Sequence, residues 1–518
     1  MRGRLLFTPL LLACSMRLAA QAAAPSTTLE NFPKLGVAEP PRVRLDPAVL
    51  RPTTFKRVIN VKSCGEWQRA IDAARSGEAI DVAPGLGCAQ TLVLKPKDNC
   101  EQRIAMRTAG REYTPGQRLR PSQVESAPLA RIEAPKDLSQ AIVAAPGANC
   151  WWLESLEITA APNVNHINYL VILGTREVTP MDSTISDIHI VGSWIHGRPE
   201  LPLTRCVALN HQVGIIEDNW IDDCHAKGAD SQAILAYNGG GPYRIVNNHL
   251  GGAGECILFG GADPNRVGLV PSDIEIRGNY CYTPPSWLGK WTIKNLFELK
   301  AVRRIWVEGN VFDGCMVDGQ IGLAWVIKSA NQSGRCTQCS TSDVTMVDNL
   351  VRNTVGFLSL SGPTSKNPLD STTRRITLTR NLLAEQVGTP PYNPRRPGQH
   401  VVVSIVGPVQ DVEITNSRIA DYAANPNEAI RFAGPPTRRI RLENLVLKKG
   451  TYGVFGNGEG KSTWERFADE SQSVWKNVTV LGANVSRYPR GTKASAGPTE
   501  GVDPARIRAK VANVVVPP

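Results

Sequence analysis

One short pattern recurs nine times between Asp187 and Val446: an alternating apolar strand, a small polar residue, then another apolar pair. Gly214-Ile-Ile-Glu-Asp-Asn-Trp-Ile221 and Arg304-Ile-Trp-Val-Glu-Gly-Asn-Val-Phe312 are two of its copies. The polar positions are Ser193, Asn219, Asn248, Asn279, Asn310, Asn349, Asn381, Ser417 and Asn444, spaced by 26, 29, 31, 31, 39, 32, 36 and 27 residues. A repeat of this length means stacked units that bury one continuous core together. Period-two alternation inside each unit excludes helical repeats. Asn tolerates the left-handed backbone of a tight bend, and stacked amides can bond from coil to coil. The uneven spacing keeps one corner constant and lets the loops vary elsewhere. A further strand precedes each marked one, as in Cys256-Ile-Leu-Phe259, Asn295-Leu-Phe-Glu-Leu299 and Phe357-Leu-Ser-Leu360.

This pattern resembles the right-handed parallel β-helix, the pectin-lyase-like fold, over residues 60–485. The resemblance implies an all-β solenoid of about ten coils, whose ends need caps. Glu66 to Arg75 reads as a short amphipathic capping helix, with Trp67, Ala70, Ile71 and Ala74 on one face and Gly77 at its stop. Ser462-Thr-Trp-Glu465 is a capping-box pattern that predicts a second short helix over the last coils. The β-helix domain is therefore expected over 56–485. The Pro-rich, polar stretches 23–55 and 486–518 read as a linker and a poorly ordered tail.

Aromatic residues make up 6% of the chain, while Gly (45) and Pro (38) are abundant, which suits short strands and turns. The charge is +11 at pH 7, but no block of Lys and Arg stands out, so no nucleic-acid partner is expected. Past the N-terminus no apolar run reaches the ~18 residues of a membrane span. Arg2 and Arg4, the apolar run Leu5 to Ala13 and the small-residue site Ala20-Gln21-Ala22 form a signal-peptide pattern over 1–22, so a secreted or periplasmic protein is expected. Leu11-Leu12-Ala13-Cys14 also reads as a lipobox, with Cys14 as the lipid anchor; a buried N-terminal helix is the third reading. A basic exported chain suits an acidic polysaccharide as partner, although ordinary surface solubility accounts for the charge equally well. A monomer is expected. Without Cys14 eleven cysteines remain. Cys336-Thr-Gln-Cys339 reads as a local disulfide, since zinc would need a second pair nearby. Cys64, Cys88 and Cys100 are candidates to staple the N-terminal cap, and Cys206, Cys256, Cys281 and Cys315 read as small core residues.

The candidate chemistry centres on Lys294-Asn-Leu-Phe-Glu-Leu-Lys300. In strand geometry Lys294, Leu296, Glu298 and Lys300 share one face, while Phe297 and Leu299 fill the core. β-Elimination on a uronate needs a positive group to neutralise the sugar carboxylate and a base to take the proton at C5. Crowding among cations would lower the pKa of a lysine base. The run Phe297-Glu-Leu-Lys-Ala-Val-Arg-Arg-Ile-Trp-Val-Glu-Gly-Asn-Val-Phe312 resembles one coil of the alginate-lyase and chondroitinase-B type lyases. In those enzymes a strand ending in Lys precedes the Asn-marked strand, so the resemblance implies that Lys300 is the Brønsted base. Where they carry an Arg on the next coil, this chain offers Lys328, farther along its strand. The catalytic candidates are thus Lys300, Lys294, Glu298 and Lys328.

Tyr282, Trp287 and Trp291 lie in one aromatic loop that could stack on sugar rings or pack on itself; Tyr237 and Asn238 join them as substrate-binding candidates. Calcium is a candidate cofactor through Asp230, Glu255 and Asp263, which come from adjacent coils but lack a calcium-loop spacing. The Gly260-Gly261 pair between the last two would admit a ligand or make a turn. Two rival functions remain. Asp222, Asp223 and His225 resemble β-helix polygalacturonases in composition, and inverting hydrolysis needs two carboxyls ~6.5–9.5 Å apart; the motif of that family around its His is absent. The other rival is a polysaccharide-binding surface rod without chemistry.

Overall fold

The computed structural model describes residues 32–174, 185–265, 268–363, 367–394, 400–456, 458, 460–495 and 503–515. These belong to one compact unit, Asn31–Pro518. Residues 1–22, over which a signal peptide is expected, and Cys14 among them, lie outside the described residues.

Each repeat forms one coil with three short strands. The alternating run gives the first, the residues after the marked corner the second: Gly214–Glu217 then Trp220–Cys224, and Val302–Glu308 then Val311–Asp313. The third strands include Gln232–Ala236, Glu255–Phe259, Phe297–Leu299 and Leu323–Ser329. Every strand pairs in parallel with its counterpart one coil away, as Ile257 with Phe297 and Phe297 with Trp325. First and second strands share a 26-stranded sheet, and third strands form a 12-stranded one. The fold is a right-handed parallel β-helix. Its twelve third strands among the described residues exceed the expected number of coils, because Leu92–Leu94, Ile142–Ala144 and Ile167–Ile172 precede the first marked corner.

The corner is an amide ladder. Asn310 Oδ1 accepts from the backbone N–H of Asn279 at 2.8 Å and from its Nδ2 at 3.0 Å. Asn310 in turn donates its own N–H and Nδ2 to Asn349 Oδ1, both at 3.0 Å. The same exchange runs from Asn219 through Asn381, where Ser417 Oγ accepts from the Asn381 N–H at 3.1 Å. Two details differ from the expectation. The left-handed residue is the one before the ladder position, such as Asp218 (φ 61°) or Arg380 (φ 55°). Asn444 is itself such a residue (φ 54°): it donates to Asn416 Oδ1, and the register Arg418–Val446 puts Leu445 opposite Ser417.

The terminal stretches differ from linker and tail. Pro47–Leu50 is a helical turn within a strap that binds the first-strand face coil by coil. The backbone N–H groups of Val37, Ala38, Glu39 and Arg42 donate to Glu413, Thr377, Asp343 and Asp273, in reverse coil order. Arg44 pairs with Glu275 and Arg51 with Glu154. At the other end, Pro504–Lys510 is a helix whose Ile507, with Val511 and Val514, packs on Tyr280, Val311, Leu350 and Leu382 of the second strands. A low-hydropathy segment is ordered here by charge pairing with a regular surface, which composition does not report. The N-terminal helix spans Cys64–Ala73, two residues earlier than expected, because Ser63 and Glu66 form a capping box; Trp67, Ala70 and Ile71 are buried. The second helix is Lys461–Phe467.

Disulfides join Cys64–Cys88, Cys100–Cys150, Cys206–Cys224 and Cys336–Cys339. Cys206 is thus bonded and not a free core thiol, whereas Cys256, Cys281 and Cys315 are free and buried.

Asn310→Ala should cost ~1–3 kcal/mol, because it leaves buried donors of Asn279 unsatisfied. Asn444→Gly, which keeps the left-handed backbone at this half-buried position, should cost less than ~1 kcal/mol. Denaturant unfolding of the two variants measures the contrast; equal losses would contradict a ladder ending at Ser417.

Candidate functional site

Three charged side chains from one coil and one from the next converge on the outer face of the third strands. Phe297 and Leu299 point inward, fully buried. Phe297 belongs to an interior aromatic column with Phe312 (5.7 Å), which meets Trp325 (5.4 Å), which meets Phe357 (4.6 Å). This column fixes the strand, so Glu298 between the two apolar residues must face out. The alternation does not extend back to Leu296, which is buried in the core; the strand proper is only Phe297–Leu299. Lys294 therefore reaches the site from the preceding turn.

Glu298 has no exposed surface, yet it receives three ammonium groups. Its Oε1 lies 2.9 Å from Lys328 Nζ and 3.3 Å from Lys300 Nζ; its Oε2 lies 3.7 Å from Lys294 Nζ. The register pairs Leu299 with Ile327, so Lys300 and Lys328 occupy successive coils side by side. Lys294 also contacts Glu255 Oε1 at 2.6 Å and Asp230 Oδ2 at 3.1 Å. The side chains of Lys294, Lys300 and Lys328 keep 10%, 12% and 21% of their surface exposed, so they, with Asp230 and not Glu255 or Glu298, present the site to solvent.

Burial raises the Glu255 carboxyl, and the neighbouring Glu298 charge adds to this; it is pushed up to about 7. Burial acts the same way on Glu298, but Lys300 and Lys328, then Glu255 and Lys294, outweigh it and bring it down to about 2. Burial disfavours the Lys294 ammonium, and Glu255, Glu298 and Asp230 more than reverse that, so its pKa is raised. The two carboxyls thus hold one proton between them near neutrality, with Glu298 as the ion. Lys300 is not crowded among cations alone, as expected from the sequence; Glu298 is its partner.

Two contributors escaped the sequence reading. Gln232 Nε2 donates to Glu255 Oε2 at 2.6 Å from the previous coil. Aligning Gln232-Ala-Ile-Leu under Glu255-Cys-Ile-Leu would have exposed that register. Gly260 (φ 98°) makes room for Lys300: a Cβ there would lie 2.8 Å from Lys300 Cβ. Gly260 thus admits a side chain of the site itself, while Gly261 lies against Leu258.

The proposed subsites fare differently. Trp287 and Trp291 are buried around His225, with Trp291 stacked on its ring at 4.2 Å and Trp287 edge-on at 4.8 Å. Their faces are spent on the protein, since the loop folds back onto the coil two before its own, where the Thr292 N–H also donates to Ala226 O. Tyr282 is half-buried on the second strands, stacked on Tyr280 at 5.4 Å. Tyr237 and Asn238 are buried, Tyr237 among Leu235 and Leu258. Asp263 lies apart from the calcium set: it accepts from the backbone N–H groups of Gln332, Ser333 and Arg335 at 2.7, 2.9 and 3.0 Å, capping the loop of the Cys336–Cys339 disulfide. Among the described residues no group of three or more His, Cys, Asp or Glu is arranged to hold a metal ion. Asp222 and Asp223 turn to different histidines, His249 at 3.6 Å and His225 at 3.5 Å. No helix among the described residues is long and apolar enough to cross a membrane.

No protein-family model matches the chain, and no curated protein does. Among solved structures it is similar to an alginate lyase from Paenibacillus sp. strain FPU-7, at 14% identity and TM-score 0.37 over 74% of this chain and 99% of that one. A mannuronic-acid-specific polysaccharide family 6 lyase from the human gut microbiota gives 11% and 0.40, over 88% and 98%. A surface protein and adhesin of Streptococcus pneumoniae gives 11% and 0.41, over 83% and 96%. Likeness at this level concerns the fold.

The two carboxyls set opposite pH dependences. Glu255, with its folded pKa raised from 4.5 to about 7, contributes stability that is present below 4.5 and lost as pH rises through 7. Glu298, lowered from 4.5 to about 2, contributes stability that is present above 4.5 and lost as pH falls towards 2. Glu255→Gln should therefore remove a part of the fall in Tm between pH 4.5 and 7.5, and a Tm difference from wild type that stays constant across that range would refute the shared proton.

Proposed function

We propose that this chain is an exported polysaccharide lyase that cleaves a uronic-acid polymer by β-elimination at Lys300 and Lys328. The observation that carries the reading is the convergence of partly exposed lysines on one buried carboxylate, Glu298. A buried carboxylate is costly unless paired, so its retention here calls for a role in holding the lysines. The basic chain and the signal pattern over 1–22 fit an anionic substrate met outside the cytoplasm.

In this reading Lys328, the most exposed of the three, binds the uronate carboxylate and makes the C5 proton more acidic. Lys300, in its amine form, takes that proton. The C5–H electrons become the C4–C5 double bond, and the C4–O bond breaks. The leaving oxygen takes a proton from solvent, and Lys300 returns its own to solvent. Glu298 Oε1, shared by both lysines, sets the distance between them. It is a positioning residue, since it has no exposed surface through which to touch a substrate.

The test is ultraviolet absorbance of the unsaturated uronate product, with alginate, pectate, polygalacturonate and chondroitin as substrates. One polymer should give a rising signal. Lys300→Ala should reduce that rate by ~10²-fold or more, the usual worth of a proton-transferring group, with the circular dichroism of the fold retained. Full turnover in that variant would overturn the assignment. New reducing ends without absorbance would show hydrolysis instead, and binding without either would show a non-catalytic rod.

A further inference from the structure

The calcium reading and the structure disagree at a definite point. Two of the three expected ligands, Asp230 and Glu255, face a common position, and Glu298 joins them in place of Asp263. That position is filled by Lys294 Nζ, 3.1 Å from Asp230 Oδ2, 2.6 Å from Glu255 Oε1 and 3.7 Å from Glu298 Oε2. We propose that Lys294 is the resident cation of this site, so that the native protein takes no divalent ion there, and that removing its ammonium turns the carboxylate cage into a calcium site. This rests on the proposed site but not on the reaction assigned to it.

The division of Glu298 supports the inference. Its Oε1 serves Lys300 and Lys328, the lysines most open to solvent, and its Oε2 serves Lys294. Without Lys294, one oxygen each of Asp230, Glu255 and Glu298 would face the same vacated space, while Lys300 and Lys328 keep their partner. A further buried oxygen is at hand: Gln232 Oε1 has no hydrogen-bond partner, although its amide Nε2 is anchored on Glu255. Calcium takes six to eight oxygen ligands at ~2.3–2.6 Å and accepts both carboxylates and amide carbonyls. The Asp230 side chain is 44% exposed, which opens the cage to solvent, the source of the waters that complete such a shell. An ammonium has one charge and donates three hydrogen bonds. It neutralises only part of the cage, which suits a site where two further lysines stand beside it.

The experiment compares the full chain with Lys294→Ala and the bulkier Lys294→Met, by isothermal titration with CaCl2 and by thermal unfolding in CaCl2 or EDTA. Wild type should show no binding heat that Glu255→Gln abolishes, and a Tm unmoved by either addition. Each variant should unfold at lower temperature in EDTA, bind one equivalent of calcium, and regain Tm with it. Calcium bound by wild type and lost in Glu255→Gln would overturn the proposal. So would folded variants indifferent to calcium, or variants that fail to fold even when refolded in CaCl2, since the cage would then require an ammonium specifically. No polysaccharide enters these measurements, so a chain without lyase activity could still pass them, and a lyase could still fail them.

Discussion

The amide ladder at the corner sets the geometry on which everything else depends. A parallel stack of coils has no intrinsic register between one coil and the next, because loop lengths differ and each strand could slide by two residues without changing which side faces in. The Asn side chains remove that freedom. From Asn248 to Asn381 each Oδ1 accepts two donors from the preceding Asn, so the corners must stand directly above one another. With the corners fixed, the third strands are fixed too, within the slack of the loop between them. That is how Lys328 comes to lie beside Lys300 although a loop of a different length separates it from its own corner.

Once the coils are in register, the exterior becomes a lattice of repeating rows, and both termini use it. The N-terminal strap meets a polar or acidic side chain on coil after coil, and the C-terminal helix lays Ile507 on a row of apolar second-strand residues. Those contacts fall on the first and second strands. The charged cluster stands on the third. The chain thus commits two of its faces to its own ends and places the cluster around Glu298 on the remaining one.

The cluster is a trade of solvation for position. Glu255 and Glu298 lose all contact with water, which for two carboxylates side by side is affordable only if one keeps its proton and cations compensate the other. Lys294 bridges the two carboxyls, and Lys300 and Lys328 meet Glu298 Oε1 alone. Long, flexible lysines would otherwise sample many rotamers, and holding both reactive ones on a single oxygen removes most of that freedom before any substrate arrives.

The repeat of strand, Asn and strand determined the fold class, the corner, and the inward sense of Phe297 and Leu299, because side-chain alternation and amide stacking are local rules written residue by residue. It also marked Lys294, Glu298, Lys300 and Lys328 as one charged segment and its neighbour. What it could not carry was anything that depends on which distant residues meet. The strap and the C-terminal helix look like linker and tail because their partners lie hundreds of residues away. Trp287 and Trp291 look like a sugar platform until His225 is seen between them. Asp263 looks like a calcium ligand until three backbone donors occupy it. Lys294 reads in sequence as one more exposed cation; only the packing of adjacent coils puts it among three carboxylates, because ion pairing across coils follows the register of the stack and not the order of the chain.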